Sequence, residues 1–300
     1  MVDDFIDAWQ LAQCRESAAL TQSEVAALMG VTKARVWQIE RGKVSSVDVV
    51  ARHGEALILQ FRPEGRREMS LASDWMKLMT AHDVARQLPE IPQLRDLCRS
   101  MAVLEAILSP EWSNRHHSFG SGWGAGEEMA SMRDGSGDEY SIVFSAAGAY
   151  IRGFAHEAVM SPYGNDGPWP GVLDSVPEAF RQCVREPAFC DEDGMPVVTA
   201  CLWRTAGDDG WRVGEIDYPD GAGDPDGAVH LFARLVDPSP EAFRRFAEDY
   251  YEIPVNLDAV RHVYALRPLT QTVVTALNTD LPLADLTDDL AAARYPSIAG

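Results

Sequence analysis

The chain has 300 residues with 46 acidic and 26 basic side chains, a formal net charge of −20 at pH 7. That charge opposes general binding to anionic polymers, so any nucleic-acid contact has to be local. A hydrophobic fraction of 46% with 24% charged residues fits a globular, core-forming chain, and the length fits two or three domains. No stretch approaches the roughly 18 apolar residues of a membrane span. The start, MVDDFIDAW, lacks the basic and apolar regions of a secretion signal. Cys14, Cys98, Cys183, Cys190 and Cys201 are scattered and never in C-x-x-C spacing. They fit unpaired thiols in a reducing cytoplasm rather than a disulfide framework or a zinc ribbon.

Phe5, Trp9 and Leu11–Ala12 fall near one face of a first helix. Leu20–Lys43, LTQSEVAALMGVTKARVWQIERGK, carries the strongest local signal. Thr21 and Glu24 have capping-box spacing ahead of an apolar run, so each can satisfy an orphan amide of the first turn. Val25, Leu28 and Met29 give one buried stripe, and Gly30 ends the helix because it enters a left-handed turn without a Cβ penalty. Thr32 caps a second helix that buries Val36 and Ile39 and stops at Gly42. Two short helices joined by a tight glycine turn are the frame of a helix-turn-helix. Lys33, Ala34, Arg35 and Gln38 point away from the Val36/Ile39 stripe, near the helix N-terminus that enters the major groove. Gln bonds adenine in pairs, Lys or Arg bonds guanine, and Ala meets a thymine methyl. Thr21, Gln22, Thr32, Arg41 and Lys43 are of the types that hold phosphates.

This stretch resembles the Cro/C1-type (XRE) helix-turn-helix family over roughly the first 60 residues. The resemblance implies that Gln22 and Thr32 contact the DNA backbone and that Lys33, Ala34 and Gln38 read bases, with Glu40 structural. Trp37 departs from the small or polar residue usual at its place; covering sugar or methyl groups and packing on a neighbour both remain open for it. A further helix from Ser45 or Ser46 through Leu57 follows, then a short strand over Leu57–Phe61 and a basic exit at Arg62, Arg66 and Arg67. In antitoxin-like members of the resembled family a strand at this place pairs between protomers; packing within its own domain is the equal alternative.

The expected organisation is an all-α helix-turn-helix domain over 1–69, followed by a larger α+β domain over 70–300 with a mostly antiparallel sheet. Before Met69 the chain holds 9 basic and 10 acidic residues; from Met69 on it holds 17 and 36. The larger domain therefore carries nearly all of the negative charge, and should sit away from DNA or serve as an acidic partner for a basic protein.

Thr80–Leu88 and Gln93–Leu108 read as helices, the second with Leu94, Leu97, Cys98, Met101, Leu104 and Leu108 on one side. SFGSGWGAGEE has glycine at every second place but is not G-x-G-x-x-G and follows no clear strand, so a flexible loop is expected there. Tyr140–Phe144 with Tyr150–Phe154, and Val197–Arg204 with Trp211–Ile216, read as hairpins, and Val229–Leu235 as a further strand. Helices are expected over Pro177–Val184, Pro240–Tyr251, Leu257–Val263, Leu269–Leu277 and Leu283–Ala292.

No catalytic, cofactor or metal site emerges. His116-His117 and His156-Glu157 lack the H-E-x-x-H pairing, Asp217–Gly227 lacks EF-hand spacing, and Ser161 has no G-x-S-x-G elbow. Trp112, Trp123, Trp169, Trp203 and Trp211 are expected as core or pocket walls. In overall character the larger domain resembles the acidic immunity or sensor domains attached to bacterial toxin systems, with no motif to carry the likeness. The expected function is a cytoplasmic, dimeric transcriptional regulator of a double-stranded DNA operator, its acidic domain sensing a ligand or binding a partner. The alternative is an antitoxin or immunity protein that neutralises a basic partner.

Overall fold

The computed structural model describes residues 80–219 and 223–296, together with Arg15, Thr21, Gln22, Val25 and Val36. The chain divides into two compact units, Met1–Lys77 and Leu78–Gly300. The expected boundary at 69/70, the strand over Leu57–Phe61 and the basic exit lie outside the described residues.

The larger unit is built on a six-stranded antiparallel sheet in sequential order. Its strands are β1 (His117–Gly124), β2 (Glu127–Arg133), β3 (Glu139–Ser145), β4 (Gly148–Phe154), β5 (Ala200–Thr205) and β6 (Arg212–Val213). The β3–β4 hairpin forms where the sequence places it, with Ile142 opposite Ile151. Its tight turn depends on Gly148, whose φ is +134° and where a Cβ would strike the Arg204 carbonyl of β5. The β5–β6 hairpin also forms, but β6 is only two residues long.

Both faces of the central strands are covered, so β3 and β4 are buried almost throughout instead of alternating. One face presents Tyr140, Ile142, Phe144, Ile151 and Leu202 to the helices. Against it lies α2 (Ile91–Leu108), preceded by α1 (Ala81–Ala85). Pro92 sits in the first turn of α2, where its missing N–H costs nothing, and the predicted stripe from Leu94 to Leu108 is buried. Arg95 and Arg99 of α2 grip Glu128 of β2 at 3.1 and 2.8 Å, fixing the helix across the sheet. The opposite face presents Val143, Tyr150, Cys201 and Trp203 to the long β4–β5 connection, which contributes Met160, Val172, Val176, Phe180 and Phe189. That connection contains only one short α-helix, α3 (Arg181–Val184), and three 3-10 turns.

After β6 the chain is helical: α4 (Ala228–Leu231), α5 (Ala233–Val236), α6 (Pro240–Tyr251), α7 (Leu257–Tyr264), α8 (Gln271–Leu277) and α9 (Thr287–Ala292). Ser239, Asn256 and Thr270 cap α6, α7 and α8 through their side-chain oxygens.

Two expectations are corrected. The glycine-rich stretch from Ser118 is strand β1, paired with β2 and turned through Gly126 at φ +80°, rather than a flexible loop. Val229–Leu235 is not a strand: it forms α4 and α5, because Asp224 and Asp226 cap the helix start and Leu231, Phe232 and Leu235 recur on the buried side. Among the described residues no helix is long and apolar enough to cross a membrane.

Candidate functional site

In the N-terminal unit, Thr21 is followed by helical Gln22, and the Val25 N–H donates to the Thr21 carbonyl at 3.2 Å, closing a first turn where the Thr21/Glu24 spacing places it. Val25 and Val36, predicted on the inner stripes of the two helices, are fully buried. Gln22 is itself buried. Thr32, Lys33, Ala34, Arg35, Trp37, Gln38, Arg41 and Lys43, the remaining predicted DNA contacts, lie outside the described residues.

Three polar clusters among the described residues of the larger unit bear on function. The innermost is centred on Glu105 of α2, which is wholly buried. Its carboxylate accepts from the His116 backbone N–H at 3.0 Å, meets His117 Nδ1 at 2.9 Å and accepts from the Tyr251 hydroxyl. The neighbouring His116 ring packs 4.8 Å from Phe246 and 5.0 Å from Tyr250. Burial pushes the His117 imidazole below its ordinary range, the Glu105 charge opposing this only in part. A neutral His117 donates through Nδ1, leaving Nε2 with no hydrogen-bond partner among the described residues. This arrangement ties α2, β1 and α6 together across the core. The His116-His117 pair that stood out in sequence is thus half of a buried network, and Glu105 and Tyr251 were missed because neither has a local signature.

The second cluster is Asp224 and Asp226, inside the acidic stretch Asp217–Gly227 that lacks EF-hand spacing. Asp226 accepts from the backbone N–H groups of Ala81 and Ala228, at 2.9 and 3.1 Å, and Asp224 from those of Val229 and His230, at 3.2 and 3.0 Å. Both carboxylates therefore face helix N-termini, where backbone donors and dipole favour them. Burial pushes both carboxyls upward, and the Asp226 charge adds to the rise at Asp224, to about 8. In the third cluster, Asp138 accepts from the His156 backbone N–H and meets His156 Nδ1, both at 2.8 Å, with His230 Nε2 at 3.6 Å. Among the described residues no group of three or more His, Cys, Asp or Glu is arranged to hold a metal ion.

Ser161 is buried in a turn, and its hydroxyl has no hydrogen-bond partner among the described residues. The thiols of Cys98 and Cys201 are buried and pushed up by desolvation, Cys201 to about 12, so both act as inert core side chains. Trp203 and Trp211 are core residues, and Trp211 donates to the Pro89 carbonyl at 2.8 Å. Trp112 and Trp123 correct the expectation, standing 63% and 37% exposed.

No curated protein and no solved structure matches this chain. Residues 8–67 match the model of one family, described as a helix-turn-helix domain, so the stretch that contains every predicted DNA contact from Thr21 to Lys43 is a helix-turn-helix domain.

Proposed function

We propose that the protein is a sequence-specific transcriptional regulator of the XRE type, working as a cytoplasmic dimer. Each helix-turn-helix would read one half-site, with half-sites about one helical turn apart. The larger acidic unit would sense a ligand or bind a partner. The observation that carries this reading is the helix-turn-helix match over residues 8–67, coincident with the helical turn that closes on the Thr21 carbonyl and the buried Val25 and Val36. Lys33, Ala34, Arg35 and Gln38 are assigned to base edges, with Trp37 beside them; Thr21, Gln22, Thr32, Arg41 and Lys43 are assigned to the backbone. Selection from a pool of random DNA duplexes should recover a preferred sequence. Lys33→Ala or Gln38→Ala should then weaken binding to it by about 1–3 kcal/mol per lost base contact. Affinity that stays at the nonspecific level, with no sequence recovered, defeats the proposal.

A second reading is favoured by charge. With 35 acidic against 16 basic residues from Leu78 on, the larger unit suits a basic partner. The protein would then be an antitoxin or immunity protein, its helix-turn-helix serving autoregulation. A neighbouring gene for a small basic protein would favour this second reading.

A further inference from the structure

We propose that the outer surface of the β4–β5 connection, with the adjoining end of β1, is a docking surface for a lysine- and arginine-rich segment of another protein, read by an aromatic ridge that ends in Trp123 and Tyr163. At one end the Trp123 indole stacks on Phe189, with ring centroids 6.0 Å apart and planes 7° from parallel. Beneath Phe189 lies the Arg152 guanidinium, 5.3 Å from the ring centre and fixed by the Val197 carbonyl and Glu139. Two residues further along β4, Phe154 meets the edge of Tyr163 at 5.7 Å. Tyr163 is 63% exposed, and Val159 beside it 54%. These side chains are presented rather than loose. Asn165 Nδ2 donates to the carbonyls of Val159 and Ser161 at 2.8 and 2.9 Å, and the Gly164 and Gly167 amides close back on Ser161 and Pro162. Pre-set aromatic side chains are what an interface anchor needs, because little rotamer freedom is lost on binding.

Charge selects the occupant. Residues 155–199 contain eight acidic side chains and two arginines. Glu157 and Asp166 flank the Tyr163 end; Glu186, Asp191, Glu192 and Asp193 flank Phe189. Asp166, Glu192 and Asp193 are exposed and meet no cation among the described residues. A second copy of this face, a nucleic acid or an anionic membrane would each meet like charge. A cationic segment gains both the field of the carboxylates and contact with the exposed aromatic faces.

The proposal rests on the partner-binding half of the function above. Duplex selection reads residues 8–67 and the following experiment reads this face, so either can fail alone. Peptides are selected from a random phage-displayed library against the full chain at physiological ionic strength. Recovered peptides should be rich in Lys and Arg. They should bind the folded Trp123→Ala/Tyr163→Ala chain about tenfold or more weakly, as loss of interface anchors requires. They should bind the Trp112→Ala chain, which lacks an exposed tryptophan outside the ridge, unchanged, and the Trp123→Phe/Tyr163→Phe chain nearly as well as the parent. Recovery of neutral or acidic peptides, or of none, overturns the proposal. So does binding that survives the double alanine change, or self-association of the chain that the double change abolishes.

Discussion

The two faces of the β-sheet are covered in opposite ways. On one, α2 lies across β1 and β2 with the C-terminal helices around it, and the buried carboxylates facing α2 are tied to other elements: Glu128 to Arg95 and Arg99, Glu105 to His117 and Tyr251. On the other, the cover is a chain of turns whose hydrogen bonds mostly close within a few residues, as from Gly164 to Ser161 and from Phe180 to Pro177. A helix-covered face is fixed by long-range packing and tolerates little change. A loop-covered face is fixed locally and can present side chains outward without loosening the core. That contrast places the structural polar network on the first face and the exposed aromatics on the second.

The largest effect should follow from breaking the helix-covered face at Glu105. Glu105→Ala keeps a good helix former in α2 but leaves the His116 amide, the His117 imidazole and the Tyr251 hydroxyl without their acceptor. Stranding several buried donors costs about 3–5 kcal/mol. The check is a drop in the urea midpoint with an unchanged slope, which separates lost stability from a changed unfolded state.

The same network gives the fold an acid limb. Burial holds His117 below its ordinary 6.5, so the folded state resists a proton that the unfolded chain accepts. Above that pH both states are neutral at this ring and nothing is lost. Below it, the unfolded state binds more protons and this residue's contribution falls by up to about 1.4 kcal/mol for each pH unit, until the folded pKa is reached. His117→Gln keeps an N–H for Glu105 and cannot titrate, so its stability should fall less steeply than the parent's between about pH 6.5 and 5. Parallel denaturation curves for the two proteins across that range would show that another group sets the acid limb.

What the sequence disclosed follows from how local each signal is. The α2 stripe and the β3–β4 hairpin were legible because a 3.6-residue repeat and a small-residue turn between apolar runs are written in adjacent residues. The helix-turn-helix match was legible for the same reason, the spacing signals for it, among them the buried Val25 and Val36, falling within Leu20–Lys43. Strand β1 was not. Glycines at 120, 122 and 124 have weak strand preference, and the strand is held by pairing with β2 and by buried Phe119. Val229–Leu235 misled in the other direction: its apolar run suits a strand, but the carboxylates that start the helix lie upstream at Asp224 and Asp226. Glu105 and Tyr251 stand 146 positions apart in the chain, so only the fold brings them together.

The smallest expected effect lies at the margin of the unit, in α1. Five residues are too few to hold a helix by propensity, so its ends must be satisfied from outside. Asp226 supplies the Ala81 amide from 145 positions away, while Thr80 and Asp83 supply the rest in a reciprocal box: Thr80 Oγ1 accepts from His82 N–H, and Asp83 accepts from Thr80 N–H at 3.0 Å. Thr80→Ala removes only the local half and should cost about 1 kcal/mol in chemical denaturation. Thr80→Ser keeps the hydroxyl and should cost much less. A cap can be rescued by any short hydroxyl because a single acceptor oxygen serves the one amide, whereas no neutral side chain at Glu105 offers two acceptor oxygens to three buried donors. If Thr80→Ala instead proves as damaging as Glu105→Ala, α1 belongs to the cooperative core and the division between locally held and distantly held parts of the unit is drawn in the wrong place.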